Sequence, residues 1–214
     1  MKYSSAIISK MNSEKKLFNS NVKIQNNYQN MIKTLLTIIE KRDPYTAGHQ
    51  QKVTKIATSI AIEMGLEQNI IEGLSTAASL HDIGKIDIPI SILSKPGKLT
   101  EIEFELIKTH SNTGYNMLKN IEFSWPVAEI ILQHHEREDG SGYPKGLKSS
   151  DILIEAKIIA VADVIEAMSS NRPYRPPLGI DKALKEINKG KGRLYDRKVV
   201  EACVNIITKK GFKF

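Results

Sequence analysis

The sequence contains little cysteine and no long apolar run. Cys203 is the only cysteine among 214 residues, so this sequence can form neither an intramolecular disulfide nor a thiolate metal cluster. Its neighbours Ala202, Val204 and Ile206 are apolar, which predicts a buried structural thiol. The longest apolar stretches, such as 158–162, fall far short of the roughly 20 residues that cross a bilayer, so we expect no membrane partner.

Charge and the N-terminal residues bear on partners and location. The formal charge of +7 and the isoelectric point near 9.3 suit an anionic ligand, but the lysines are scattered and form no basic block. No zinc finger, RNA-recognition signature or basic-aromatic array is present, so we expect no nucleic acid polymer as a partner. Residues 1–20 carry no apolar segment followed by a small-residue cleavage site, which favours a cytoplasmic protein.

Apolar periodicity predicts an all-α chain with one main domain. With 41% hydrophobic residues, the chain can bury one core of ordinary size. Strand-like alternation is nearly absent, and glycine and proline punctuate the connections. The predicted helices span residues 45–64, 67–83, 100–120, 124–138, 151–170, 180–189 and 196–209.

The N-terminal segment predicts a helical lead-in, residues 1–34, before a main domain at 35–214. Residues 1–20 are polar, and an amphipathic helix should follow from Val22 to about Lys41. Large apolar residues recur there at spacings of four and three: Tyr28, Ile32, Leu35 and Ile39. This face can pack on the domain or pair with a second copy, and packing on the domain is favoured because the repeat is too short to establish a coiled coil.

All histidines of the chain fall on apolar helix faces that should point toward a core. The five are His49, His81, His110, His134 and His135. A single inward histidine is usually a satisfied core residue, but five of them beside the carboxylates Asp82 and Asp163 would require several coincidences. A shared metal site explains them together, because neutral imidazoles and carboxylates are ligands for iron, manganese and zinc.

Two motifs resemble the signatures of a known family. The segment 81–85, HDIGK, resembles the HD-domain phosphohydrolase signature. The segment 134–144, HHEREDGSGYP, resembles the more specific HHExxDGxGYP signature of the HD-GYP subfamily. The resemblance covers about residues 35–208 and implies an all-α HD-domain helical bundle with a GYP loop behind the N-terminal lead-in.

The resemblance also implies two transition-metal ions, iron or manganese, that share one ligand. One ion would be held by His49, His81, Asp82 and Asp163, and the other by Asp82, His110, His134 and His135. Such a pair supplies an activated hydroxide for attack on phosphorus at neutral pH. Some relatives place a glutamate for a third ion four residues before the first histidine. Tyr45 stands there in this chain, which predicts two ions and not three.

Four further residues are expected to act on the substrate. By resemblance, Lys85 would oppose negative charge in the transition state, and Tyr143 would stack beside a guanine or ribose. Arg172 and Arg175 resemble phosphate and guanine contacts. Simpler roles stay open for each: a helix-terminal lysine, a structural tyrosine and two solvated arginines.

Three positions depart from the common family pattern. Glu138 stands where many relatives have tryptophan, Lys157 where many have arginine, and Arg197 where many have proline. None of the three is an expected metal ligand. The Glu138 change bears on substrate affinity more than on the chemistry.

The resemblance implies a cyclic di-GMP phosphodiesterase that forms linear 5′-pGpG, with a second step to GMP left open. Two alternatives stay open: a phosphohydrolase for another nucleotide, such as a different cyclic dinucleotide, and a catalytically silent module that binds nucleotide or protein. The metal ligands are all retained, which favours an enzyme. A homodimer through the N-terminal helix or the GYP surface is also left open.

Overall fold

Helices account for nearly all regular structure in the computed structural model of the chain. The structure describes residues 14–20, 22–24, 26–27, 30–32, 34–35, 37–38, 48–170 and 177–212. From residue 48 onward the helices are α1 (His49–Glu63), α2 (Gln68–Leu80), α3 (Ile90–Leu93), α4 (Glu101–Leu118), α5 (Val127–Gln133), α6 (Ile154–Ser169), α7 (Ile180–Gly190) and α8 (Arg197–Thr208). Two 3₁₀ turns span Ile83–Asp87 and Ser149–Asp151. The predicted all-α fold is confirmed.

Local capping sets the start of two of these helices. The Thr100 hydroxyl accepts the Glu103 N–H at 3.3 Å, and the Glu103 carboxylate accepts the Thr100 N–H at 2.7 Å, which forms a capping box on α4. The Asp196 carboxylate accepts two N–H groups at the start of α8. These caps explain why the sequence predicts the two starts to within a residue.

The core is assembled around α1 and α6. Helix α1 packs against α2, α6 and α8, and it buries Val53, Ile56, Ala57 and Ile60. Helix α6 is apolar over most of its surface, as expected for a helix covered on several sides. Cys203 of α8 is buried, and burial raises the pKa of its thiol to about 12, so the predicted structural thiol is confirmed. None of the described helices is long and apolar enough to cross a lipid bilayer.

The described residues between 14 and 38 are helical and contact the core through part of the predicted face. Ile32 is buried, and Leu35 packs against the same core, which confirms packing on the domain at these positions. Tyr28 and Ile39 lie outside the described residues. Other apolar side chains of this segment are exposed: Leu17, Phe18, Ile24, Met31 and Ile38. Pairing of two copies through this helix therefore stays a prediction.

Several predicted helix boundaries are wrong where tertiary contacts redirect the backbone. The helix predicted at 67–83 ends at Leu80 and continues as a 3₁₀ turn. The helix predicted at 124–138 spans only Val127–Gln133, because Pro126 precedes it and the following residues form a loop. The helix predicted from residue 45 includes Gly48, whose left-handed φ of 75° places it outside α1. The short helix α3 has no counterpart in the sequence prediction.

Gly84 brings the 3₁₀ turn directly onto α4. A Cβ atom at this position would lie 2.0 Å from the His110 carbonyl oxygen and 2.6 Å from the Gly114 nitrogen. Only glycine allows this approach of two backbones. The contact fixes Asp82 and Lys85, on either side of the glycine, against the middle of α4.

We expect Gly84→Ala to destabilise the fold more than Gly65→Ala does. Gly65 has a φ of 70° but open space around its missing Cβ, so alanine there costs roughly 1 kcal/mol from the backbone alone. Gly84 has no positive φ, but alanine there collides with backbone atoms and should cost about 3 kcal/mol, the upper end of the range for overpacking. Urea unfolding followed by fluorescence of the single tryptophan measures both variants. Equal free energies of unfolding would contradict the close contact.

Candidate metal centre

The structure brings the seven predicted metal-binding side chains together. They come from five places in the fold: the start of α1, the end of α2, the middle of α4, the end of α5 and the middle of α6. The residues are His49, His81, Asp82, His110, His134, His135 and Asp163. Their role as ligands stays a prediction, but their proximity is a feature of the fold.

Six of these side chains form two compact groups. The first group contains His49, His81 and Asp163, and the second contains His110, His134 and His135. Within each group, one potential ligand atom from every residue lies within 4.8 Å of the others. Each group could therefore hold one ion. The groups are neighbours, because the ring centroids of His81 and His134 are 5.2 Å apart.

Asp82 lies between the two groups with one carboxylate oxygen toward each. Its Oδ2 is 3.6 Å from His49 Nε2 and 3.5 Å from His81 Nε2. Its Oδ1 is 3.7 Å from His110 Nε2. A carboxylate shared by two cations must turn one oxygen toward each of them. The orientation of Asp82 fits its predicted role as the shared ligand.

Backbone carbonyls orient three of the histidines. The Nδ1 atoms of His81, His110 and His134 lie 2.7, 2.6 and 2.5 Å from the carbonyl oxygens three residues earlier. In the neutral ring Nδ1–H then donates, and the Nε2 lone pair faces the centre. His81 Nε2 is buried without a hydrogen-bond partner among the described residues. A metal ion would satisfy this atom, so the residues fit the implied ions.

Burial keeps these histidines neutral. Loss of solvent lowers the pKa of His81, His110 and His134, and the effect outweighs the attraction of nearby Asp82. Burial opposes ionisation of Asp82 itself, yet the ammonium group of Lys85 holds the pKa of this carboxyl well below its usual value. The centre thus offers neutral imidazoles and an ionised carboxylate at pH 7, the forms that bind metal.

Lys85 contacts the centre from its rim. Its Nζ is 2.7 Å from Asp82 Oδ2, and its side chain keeps 18% of its surface exposed. A charged group with access to solvent and to the centre can meet an incoming phosphate. This placement agrees with the predicted catalytic role without testing it.

Glu136 binds the backbone directly after the GYP loop, residues 139–144. Its buried carboxylate accepts the Lys145 N–H at 2.7 Å and the Leu147 N–H at 3.0 Å. Sequence reasoning assigned this residue no role. Its signal was a carboxylate at a motif position directly after two histidines predicted to be ligands.

Tyr143 is held against the second group. A Cβ on Gly142 would lie 2.4 Å from the Glu136 Cα, so only glycine lets the loop fold back this closely. The Tyr143 ring then stacks on His135 with centroids 4.7 Å apart, and burial raises the pKa of its phenol. Lys108 Nζ lies 5.7 Å from the same ring. His135 and Lys108 therefore both contact the Tyr143 ring, which remains partly exposed.

Two of the unusual residues, Glu138 and Lys157, are partners in space. Their charged atoms are 3.0 Å apart, and the Glu138 carboxylate also accepts the Ser149 hydroxyl at 2.7 Å. Lys157 lies 3.8 Å from Asp196 at the start of α8. Glu138, the residue directly before the GYP loop, is therefore connected to α6, and Lys157 extends this connection to the start of α8. Its effect on substrate affinity stays a prediction.

Three predicted residues lie in parts of the chain that the structure does not describe, and one further residue of the site was not predicted. Arg172, Arg175 and Tyr45 lie outside the described residues. Glu166, which the sequence reasoning missed, lies beside His49 with Oε2 2.5 Å from Nδ1. Its signal was an inward carboxylate three residues after Asp163 on an otherwise apolar helix.

Known proteins resemble the chain in sequence. A family model described as HD domain matches residues 33–199. A cyclic di-GMP phosphodiesterase of Thermotoga maritima is 44% identical over 178 residues, which cover 82% of this chain and 48% of that protein. The cyclic di-GMP phosphodiesterase response regulator RpfG of Xanthomonas campestris is 40% identical over 191 residues, or 88% and 50% of the two proteins. The chain spans about half the length of these two relatives.

Other relatives and solved structures extend the comparison. A 3′3′-cGAMP-specific phosphodiesterase of Vibrio cholerae is 38% identical over 147 residues, 69% of this chain and 32% of that protein. An HDG"Y"P protein of Bdellovibrio bacteriovorus has a TM-score of 0.63 at 21% identity, over 74% of this chain and 51% of that one. The PgpH HD domain of L. monocytogenes in complex with cyclic-di-AMP has a TM-score of 0.59 at 20% identity, over 83% and 96%. These structures support the fold.

The metal-free protein should lose stability as pH falls below the ordinary histidine pKa of 6.5. The pKa values of His81, His110 and His134 are lowered in the folded state, so the unfolded chain binds more protons in this range. The stability that each contributes is fully present above pH 6.5. It decreases by up to about 1.4 kcal/mol per pH unit and histidine until the folded-state pKa is reached. Urea unfolding with chelator at pH 7.5 and 5.5 measures this, and equal free energies would contradict the buried neutral rings.

Proposed function

The chain belongs to the HD domain family, in the HD-GYP branch that its 134–144 segment marks, and we propose that it hydrolyses cyclic di-GMP to linear 5′-pGpG. The observation that carries the proposal is the position of Asp82, with one oxygen toward each of two buried histidine groups. The relatives named for cyclic di-GMP support the choice of substrate. Hydrolysis onward to GMP is a second step that the same assay resolves.

The metal-binding role is assigned to the two groups and the carboxylate between them. His49, His81, Asp163 and Asp82 would hold one ion, and Asp82, His110, His134 and His135 would hold the other. Bound ions of this kind supply Lewis acidity and a nucleophile at neutral pH. Mixed imidazole and carboxylate ligands suit iron or manganese.

The other residues of the site act on the substrate. Lys85 keeps an ammonium group at the rim, where it can oppose charge that develops on phosphate oxygens. Tyr143, supported by His135, offers an aromatic surface to a base or ribose beside the second group. Arg172 and Arg175 are proposed from the sequence as phosphate and guanine contacts.

A second substrate class has a specific observation in its favour. One relative at 38% identity is named as specific for 3′3′-cGAMP, which shares the phosphodiester chemistry but carries one adenine. The experiment therefore incubates protein purified without oxygen, with its metals quantified, with each dinucleotide and separates the products. We expect cyclic di-GMP to be consumed faster, with pGpG formed. Absence of turnover of both by a fully metallated protein would favour the catalytically silent module.

Asp82→Ala should abolish hydrolysis and reduce metal at both positions, because removal of the shared anion leaves two cations facing each other. His110→Ala should mainly reduce one position. Lys85→Ala should keep both metals and lower kcat by about 10²-fold, as loss of a transition-state donor does. Metal analysis and steady-state kinetics on the same preparations measure these effects. Near wild-type turnover by Asp82→Ala would exclude the two-metal assignment.

Arg172→Ala and Arg175→Ala should lower kcat/KM for cyclic di-GMP by about tenfold or more while metal content is unchanged. A charge-assisted hydrogen bond contributes roughly 1.5–3 kcal/mol, and neither arginine belongs to the ligand set. Arg197→Ala is the matched control, since Arg197 starts α8 and has no assigned role in the site. If the double variant had the kinetics of the control, both arginines would be surface charges.

A further inference from the structure

His49 is oriented differently from the histidines on α2, α4 and α5. Those rings donate from Nδ1 to a carbonyl three residues earlier in the chain. His49 is the first residue of α1, so its own helix provides no preceding turn of carbonyls. Its Nδ1 needs a partner from another element.

Glu166 on α6 is that partner. Its Oε2 lies 2.5 Å from His49 Nδ1, and its side chain is only 3% exposed. Asp163, one turn earlier on the same helix, has Oδ1 3.4 Å from His49 Nε2. Each of the two nitrogen atoms of the His49 ring therefore faces one carboxylate of α6.

Charged side chains also connect α1 to α6 near the contact between His49 and Glu166. Lys52, one turn after His49, has Nζ 4.0 Å from Glu166 Oε1 and donates to the Ser170 hydroxyl at 3.2 Å. Because the Lys52 side chain is 43% exposed, this contact contributes little by itself. A buried carboxylate against an imidazole N–H is the stronger interaction.

We propose that Glu166 is a positioning residue for the first metal group, an inference that rests on the metal site of the proposed function. By accepting Nδ1–H, it fixes the His49 tautomer and directs the Nε2 lone pair toward Asp82 and Asp163. Its negative charge also strengthens the ring as an electron-pair donor to a metal ion. In the second group, His110 and His134 donate to backbone carbonyls instead, so the orientation of these two rings does not depend on Glu166.

The proposal predicts a selective loss of metal. Glu166→Leu removes the acceptor and its charge, so the affinity of the first position should fall by about 10–100-fold while the second position is retained. Glu166→Gln keeps an amide oxygen as acceptor but loses the charge, so its affinity should be intermediate. Glu155→Gln, on the first turn of the same helix and outside both groups, is the matched control and should equal wild type.

The experiment dialyses each full-length variant against graded chelator and measures bound manganese per chain. We expect Glu166→Leu to fall to about one ion at chelator concentrations where wild type and control keep two. Circular dichroism of each metal-free variant reports folding, and Glu166→Gln carries the test if the leucine variant does not fold. Wild-type retention by Glu166→Gln and Glu166→Leu, or equal loss from both positions, would overturn the proposal.

The outcomes also separate this inference from the proposed function. A wild-type protein that binds two ions but hydrolyses no dinucleotide would refute the proposed activity. The metal retention of the Glu166 variants would still decide whether Glu166 positions His49. A wild-type protein that binds no manganese would refute both.

Discussion

The rest of the site depends on the burial of one carboxylate, that of Asp82. A buried anion requires nearby positive charge or hydrogen-bond donors, and Lys85 at 2.7 Å supplies one contact from the rim. The other sides of Asp82 face imidazole nitrogens of His49, His81 and His110, and burial lowers the pKa of the His81 and His110 rings. Metal ions between these atoms would complete the charge balance. Gly84 makes the arrangement possible, since it lets the turn after Asp82 lie on the backbone of α4.

The sequence predicted the helices and the members of the site better than the ends of the helices. His81, His110, His134 and Asp163 continue apolar helix faces, and helical periodicity in the sequence predicts which residues share such a face. Helices α2 and α5 end where they do because of contacts with residues that are distant in the sequence. After α2, the backbone at Gly84 packs directly against the backbone of α4. After α5, Glu136 binds N–H groups nine and eleven residues away. Propensity within a window contains no information about these partners.

Pairwise coupling is the second kind of information that one sequence does not contain. Glu138 and Lys157 each depart from the common pattern, and alone each looks like an isolated substitution. In the fold they form one ion pair at 3.0 Å that connects the residue directly before the GYP loop to α6. Glu166 is a similar case, because its meaning depends on His49 at the start of a helix 117 residues away. Spatial partners explain these residues, whereas composition and periodicity do not.

The two metal groups differ in charge, and this difference has a chemical consequence. The first group contains Asp163, and Glu166 adds a second negative charge behind His49. The second group consists of three histidines, and Asp82, proposed to be shared, faces it with Oδ1 3.7 Å from His110 Nε2. Neutral ligands leave an ion with more of its positive charge available to an anion. Tyr143 stacks on His135 of this second group, so the aromatic surface and the more electropositive side of the centre coincide. We therefore expect the phosphate to approach from the side of the second group, with the first group as the more firmly anchored half.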